Sequence, residues 1–566
     1  MSLLMLDKAA IYAICVPTMH IDSASSVQRG KTYTRHLLRE SYREGGKVKK
    51  RTLANLSHCS DEEITAMKLA LKHKKDLSAL GTIDDISVEQ GNRIGAVFCL
   101  NTLAHRLGIA DVLGNHRQGR LALWQVLARL IDQGSRLSAV RLAQSHAACE
   151  VLGLDSFHED HLYANLAWLA EHQQAIEKRL FRRRYGNTRP QLFLYDVTSS
   201  YLEGVQNVLS AFGYNRDGKK GKKQLVIGLL TGPDGAPVAV RVFEGNTPDT
   251  QTVAEQVRVL AQEFGVEGVT LVGDRGMLKQ PQIELLDTRH FHYITAITKP
   301  QIRALLKKDV FQLQLFDEQV CEVIHDGLRY VLRRNPARAQ EMAESRKDRL
   351  RSLSVYLNDQ NQYLAEHSRA KEEVAYRRVG ERCRRYNLAN FVEINISERT
   401  LSLTVDAEVQ QVVAELDGCY VIKTDLAADI ATCEEIHDRY KDLAKVERAF
   451  RTCKTGHLEL RPVNVRTAPS TRGHVFVVML AYAIEFELAH LWREIEATVA
   501  EGIDDLGSLR GSVLRIGTTT CQKVPAPTGL AQELLTAAEV RLPDVLPLHN
   551  VTVATRKKLV PGRKSQ

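Results

Sequence analysis

Residues 191–199 read QLFLYDVTS: a short apolar run that meets an aspartate and then turns polar. Leu192, Phe193, Leu194 and Tyr195 predict a buried strand. Asp196 stands at its polar end, where a carboxylate is either a cap or turn residue or a functional group, because charged side chains are seldom buried without a partner. Downstream, QLVIGLLTG from Gln224 and PVAVRVFEG from Pro237 flank Pro233-Asp234-Gly235, which predicts a strand–turn–strand hairpin. A helical pattern runs from Thr250 to about Phe264. The short run VTLVGD then ends on Asp274, and FHYITAI from Phe291 predicts another strand.

Three strands in a meander, then a helix, then strands, is the order of a ribonuclease H-like α/β core. Asp196 and Asp274 each end a strand candidate, so neighbouring strands of one sheet can carry both to a single place. A third carboxylate is available from YKDLAKVERAFRTCKTG, where Tyr440, Glu447 and Lys454 are spaced by seven and share one face of a helix. Leu443, Val446 and Phe450 form the apolar stripe beside them. Phosphodiester cleavage by two metals needs such converging carboxylates, and magnesium prefers hard oxygen ligands. Taken singly, each residue has an ordinary explanation: a strand-end Asp is a common turn residue, and Glu447 alone is a solvated helix charge. Only the conjunction points to a site.

The flanking sequence organises around this core. Residues 1–90 predict a small α/β unit, with a hairpin at Gly45-Gly46 and a helix from about Ser60, and the apolar run Ala9–Val16 reads as a buried strand rather than a signal peptide. Residues 91–185 are helical by period, a domain suited to DNA binding or dimerisation. The core is expected in two parts, 186–299 and 416–500, separated by an insertion at 300–415 that contains a long charged helical stretch from about Ala337 to Arg385. Residues 501–566 read as a C-terminal tail with a mobile basic end. The expected class is therefore α/β: a ribonuclease H-like mixed sheet with an inserted domain, preceded by a small α/β unit and a helical domain.

The 566 residues carry a net charge of +9, which permits but does not establish nucleic-acid binding. Ten cysteines contain no CxxC pair or zinc spacing, as expected of reduced thiols in a cytosolic protein. The apolar run Val475–Ile484 is short for a membrane span, which needs about 20 residues, so no membrane is expected. Five cations, Arg216, Lys219, Lys220, Lys222 and Lys223, occupy the loop between the first two core strands, a placement suited to phosphate contacts or to a solvated hairpin tip. Arg377, Arg378, Arg382, Arg384 and Arg385 are a second basic group, and Lys47, Lys49, Lys50 and Arg51 a third.

The stretches YDVTSSYLEG, FGYNRDGKKGKKQLVIGLL, PVAVRVFEGNTPDT, GDRGM and YKDLAKVERAFRTCKT resemble insertion-sequence transposases of the DDE class that carry a YREK signature, over roughly Tyr33 to Trp492. The resemblance implies that Asp196, Asp274 and Glu447 are catalytic and bind metal, Mg2+ or Mn2+ as two ions. It implies DNA contacts from Lys219, Lys220, Lys222, Lys223, Arg275, Tyr440, Arg448, Arg451 and Lys454. Leu443 stands where the signature has arginine, which leaves that arginine's DNA contact without an obvious source. The implied reaction is metal-dependent cleavage at transposon ends followed by strand transfer into target DNA. The partners are terminal inverted repeats and target DNA, bound by a homodimer in the bacterial cytoplasm at the nucleoid. Competing readings are another ribonuclease H-like nuclease such as a resolvase, an inactive transposase-derived DNA-binding protein, and a two-carboxylate glycosidase. The last is disfavoured by an aromatic content of 6%.

Overall fold

The computed structural model describes residues 18–28, 31–45, 47–74, 86–186, 188–204, 206–214, 216–287, 290–317, 319–454, 456–460, 463–516, 519–547, 549 and 551–556. The expected strand at Ala9–Val16 and the basic C-terminal end from Lys557 onward lie outside these residues. The chain divides into two compact units: Met1–Ile94 with Leu509–Ala526 and Leu542–His549, and Gly95–Ser508 with Pro527–Arg541 and Asn550–Gln566.

In the first unit β1 (Thr18–Gln28), β2 (Lys31–Glu44) and β3 (Lys47–Asn55) form an antiparallel sheet. Helix α1 (Asp61–Lys72) follows, started by a capping box in which the Ser60 hydroxyl accepts from the Glu63 N–H and the Glu63 carboxylate accepts from the Ser60 N–H. β4 (Ile86–Arg93) belongs to a second sheet, of order β17-β16-β15-β4, with β15 (Arg510–Ile516), β16 (Thr519–Lys523) and β17 (Val545–Leu546). The region expected as a C-terminal tail, 501–566, thus holds helices and strands. These strands pair with one another and with β4, so the C-terminal region completes the N-terminal unit. The basic residues Lys49 and Arg51 are ion-paired across the β2–β3 hairpin to Glu44 and Glu40.

The second unit begins with six helices: α2 (Gly95–Arg106), α3 (Ile109–Leu113), α4 (Arg117–Ile131), α5 (Arg136–Ser145), α6 (Ala148–Leu152) and α7 (Glu159–Tyr185). The chain then enters the large sheet. It contains β5 (Leu192–Tyr201), β6 (Gln224–Thr231), β7 (Pro237–Phe243), β8 (Thr270–Gly273), β9 (His292–Ala296), β10 (Cys321–His325), β11 (Leu328–Arg334) and β14 (Cys419–Thr424). Their order is β10-β11-β14-β9-β8-β5-β6-β7. β5, β6 and β7 are antiparallel, whereas β8 and β9 run parallel to β5, reached through α8 (Asp249–Arg258) and α9 (Gln280–Asp287). This is the ribonuclease H-like arrangement, extended on one side by β14, β11 and β10.

That extension narrows the insertion. The strand candidate around Glu322–Leu332 is two strands that join the main sheet rather than a separate domain. After α10 (Lys299–Lys307), the part that leaves the sheet comprises α11 (Pro336–Glu366), α12 (Glu372–Arg385), β12 (Val392–Ser397), β13 (Thr400–Val405) and α13 (Ala407–Ala414). It has its own core, built on Leu353, Leu357, Val379, Phe391 and Leu401.

After β14 come α14 (Cys433–Lys441), α15 (Leu443–Lys454) and α16 (Ala468–Leu491), then α17 (Val499–Ser508) and α18 (Gly529–Ala537). α16 has 24 residues, so the apolar run at Val475–Ile484 lies in a helix long and apolar enough to cross a membrane. Its burial accounts for that composition, since it packs against α7, α4 and β7. At Gly473 an added Cβ would lie 1.9 Å from the Leu166 oxygen of α7, so only glycine allows so close an approach.

Candidate active site

Strand alternation decides which residues of β5 meet which helix. Phe193, Tyr195 and Val197 point into the core formed with Val253, Val257 and Leu260 of the α8 region. Leu194, Asp196 and Thr198 therefore face the other way, toward α15, and the Lys454 Nζ of α15 donates to the Thr198 hydroxyl at 2.9 Å. β8 pairs with β5 in parallel, with Leu194 opposite Val272 and Tyr195 opposite Gly273. One residue further, Asp196 and Asp274 come side by side on the α15 face. α15 buries Leu443, Val446, Ala449 and Phe450, which leaves Glu447 exposed beside the sheet.

The carboxylates act on one another. Burial pushes the Asp196 carboxyl up to about 7, and the negative charges of Asp274 and Glu447 add to the rise, against the Val197 N–H and Arg216. Its Oδ1 accepts from the Val197 N–H at 2.7 Å. Asp274 is exposed, and its Oδ1 accepts from the Arg275 N–H at 2.7 Å and the Tyr440 hydroxyl at 3.3 Å. Burial and the Asp274 charge raise the Tyr440 phenol. Among the described residues, Oδ2 of each aspartate and both Glu447 oxygens accept no hydrogen bond.

No three acidic, cysteine or histidine side chains among the described residues already stand at the spacing of a finished metal site. The donor set nonetheless fits a hard divalent cation. It is all oxygen, two of its three members are exposed at the protein surface, and it has unused lone pairs and a mutual repulsion that a cation would relieve.

The other expected residues divide into open and engaged groups. Lys220 and Arg275 are exposed. Lys219 lies over the Tyr201 ring at 5.8 Å, Lys223 over Phe212 at 5.9 Å, and Lys222 pairs with Glu203 at 3.3 Å. Arg448 and Arg451 are exposed on α15, with Arg451 one turn beyond Glu447. Lys454 is not the mobile phosphate contact expected. It is 8% exposed and ion-paired to Asp217 at 2.8 Å, so it pins the basic loop to α15. Tyr440 is likewise engaged, its hydroxyl donating to Asp274. Tyr440 and Glu447 also do not share one helix, since the chain breaks at Asp442 between α14 and α15. Leu443 is 8% exposed and packs in the core, so it presents no polar group to DNA.

Sequence reasoning missed Phe212 and Tyr214, which are 65% and 84% exposed in the same loop, with Arg216 over the Tyr214 ring at 5.9 Å. The signal was present in FGYNRDGKK, where aromatic and basic residues interleave as they do in single-strand binding surfaces.

Residues 187–484, more than half of the chain, match the transposase DDE domain, and residues 21–82 match the N-terminal domain of the IS1634 family transposases. The chain belongs to the DDE transposases. Its N-terminal match makes it a transposase of the insertion-sequence kind, a class of metal-dependent enzymes that act on DNA. Among solved structures, a cryo-EM structure of the piggyBac transposase synaptic complex with hairpin DNA is similar at 9% identity and a TM-score of 0.35, over 68% of this chain and 69% of that one. No curated protein matches the chain.

Proposed function

We propose that this transposase cuts DNA at the terminal inverted repeats of an insertion sequence and joins the freed ends to target DNA. Asp196, Asp274 and Glu447 hold two Mg2+ ions, or Mn2+ in their place, and a homodimer acts on the DNA in the bacterial cytoplasm, at the nucleoid. The observation that carries this reading is the pairing of β5 with β8, which sets two aspartates side by side under α15 with Glu447 above them. Bound divalent cations supply Lewis acidity to the attacking and leaving oxygens of an in-line displacement.

The residues divide the remaining work. Asp196 is anchored by the Val197 N–H, and Tyr440 fixes the orientation of Asp274. The loop bearing Lys219, Lys220, Lys222 and Lys223, together with Arg275, Arg448 and Arg451, holds backbone phosphates, and Phe212 and Tyr214 offer faces for unpaired bases. In the first transfer a water oxygen attacks the phosphodiester at the transposon end and the 3′ hydroxyl leaves. In the second that hydroxyl attacks a target phosphodiester, so each transfer forms one P–O bond and breaks one.

The test uses full-length protein with duplexes carrying the inverted repeats that border its gene. The expected result is nicking that needs Mg2+ or Mn2+, followed by joined products with target DNA. Cleavage that persists in EDTA, or that Asp196→Asn leaves at the wild-type rate, would refute the assignment.

A further inference from the structure

Two arginines of the helical region are buried where charged groups are rare. Arg129 near the end of α4 and Arg136 at the start of α5 are each 5% exposed. Arg129 donates to the backbone oxygens of Gln133 and Gly134, and its Nε has no partner. Arg136 donates to Gln125 Oε1 at 2.6 Å and meets His474 Nδ1 at 3.1 Å. These partners are all neutral, and among the described residues neither guanidinium forms an ion pair with a carboxylate. Asp132, which accepts from the Ser138 hydroxyl, and exposed Glu459 both act on Arg129, but only through their fields. Burial and the two adjacent guanidiniums hold His474 well below its usual range, so it is neutral. Burial also pulls Arg136 down to about 9, which still leaves it charged at neutral pH.

A buried charge without a directly paired counter-charge costs several kcal/mol. Here both guanidiniums line one cavity of about 210 Å³, together with Ser135, Tyr163, Asn464, His474 and one acid, the exposed Glu459. One liquid water occupies roughly 30 Å³, so the cavity has room for a tetrahedral oxyanion. Ser135 is the N-cap of the ten-residue α5, so the positive end of that helix lies at the cavity as well. Exposed Ser135 and Asn464 connect the cavity to solvent.

We propose that this cavity binds a phosphate-type oxyanion between Arg129 and Arg136 at the N-terminus of α5. Guanidinium groups are the side chains best shaped for phosphate oxygens. The occupant is either a free anion or a backbone phosphate of DNA, and both present the same chemistry to the arginines. The site is separate from the carboxylates at Asp196 and does not depend on their assignment.

The test compares full-length wild type with Asn464→Asp and Gln133→Glu, each of which places a carboxylate at the cavity and leaves both arginines intact. Thermal unfolding is followed with inorganic phosphate against sodium chloride at equal ionic strength. Phosphate should raise the wild-type Tm saturably and have little effect on the variants. If the natural occupant is DNA, phosphate competes with duplex binding and the variants bind duplex about tenfold more weakly. If it is a free anion, duplex affinity is unchanged, and the phosphate-dependent Tm shift alone carries the site. The proposal fails if the wild type gains nothing over the salt control while duplex affinity is equal in all three proteins. It also fails if both variants keep the full phosphate effect.

Discussion

Glu177 and Glu263 are buried more deeply than Asp196, at 0% and 2% exposure, yet their surroundings are the reverse of the active site's. Arg241 reaches Glu177 at 2.6 Å and Glu263 at 2.8 Å, and Arg258 reaches Glu263 at 2.5 Å. Gln173 and the Val240 N–H fill further Glu177 lone pairs. This cluster ties α7 to β7 and to the π-helical turn Val259–Glu263. At Asp196, Asp274 and Glu447 the acids face each other, and the nearby cation, Arg216, is in an ion pair with Asp249 at 2.5 Å. Where the fold needs buried acids for itself, it supplies their counter-charge. Where it leaves them repelling, it supplies no counter-charge, and under the proposed function that part falls to a bound cation.

The sharpest test of that contrast is neutralisation. Asp196→Asn should lower the cleavage rate on the order of 10³-fold or more, since a metal's charge stabilisation is worth several kcal/mol. Its Tm in the absence of metal should stay level or rise, because a repulsion is removed. A quantitative nicking assay and a melting curve on the same preparation decide both halves. Arg241→Met should do the opposite. It strands the buried Glu177 and leaves Glu263 with Arg258 alone, so we expect a loss of about 3–5 kcal/mol in denaturant unfolding, with cleavage per folded molecule unchanged. An Arg241→Met protein as stable as wild type would erase the distinction between the clusters.

Sequence made the acidic site more legible than its surroundings. Asp196 and Asp274 close runs of apolar residues that can only be strands, and Val446, Glu447 and Phe450 carry a helical period, so local signals suffice. What was misjudged depends on partners far away in the chain. β10 and β11 read as part of an insertion because their sheet neighbour, β14, arrives only at Cys419. The C-terminal strands are short, and β15 finds its partner in β4, more than four hundred residues earlier, with β16 and β17 added beyond it. Lys454 looked like a DNA contact because the acid that neutralises it, Asp217, lies in a distant loop. Seven-residue spacing from Tyr440 to Glu447 could not reveal the break at Asp442, where one helix ends and the next begins.

Tyr440 refines the comparison, being a neutral donor to one of the uncompensated acids. A single hydrogen bond is worth about 0.5–1.5 kcal/mol, so Tyr440→Phe should slow cleavage by up to roughly tenfold. If Tyr440 positions Asp274, the midpoint of a Mn2+ titration of nicking rises while duplex affinity, measured without metal, stays the same. An unchanged midpoint with weaker duplex binding would return Tyr440 to the role of a DNA contact.

The same logic extends to the cations of the basic loop, with the smallest effect of the set. Lys454 is balanced by Asp217 and buried; Lys220 is exposed. Replacing Lys220 with alanine removes a surface charge and nothing from the core, so Tm should hold within about 0.5 kcal/mol of stability. One phosphate contact fewer lowers the slope of log affinity against log salt by about 1, and weakens binding to all duplexes alike. Lys454→Ala should instead strand Asp217 and destabilise the loop, and its salt slope should remain that of wild type. If the two variants exchanged these signatures, Lys454 would have to leave Asp217 when DNA arrives. The rule drawn from the acids, that a side chain the fold has already neutralised is structural, would then not hold for the bases.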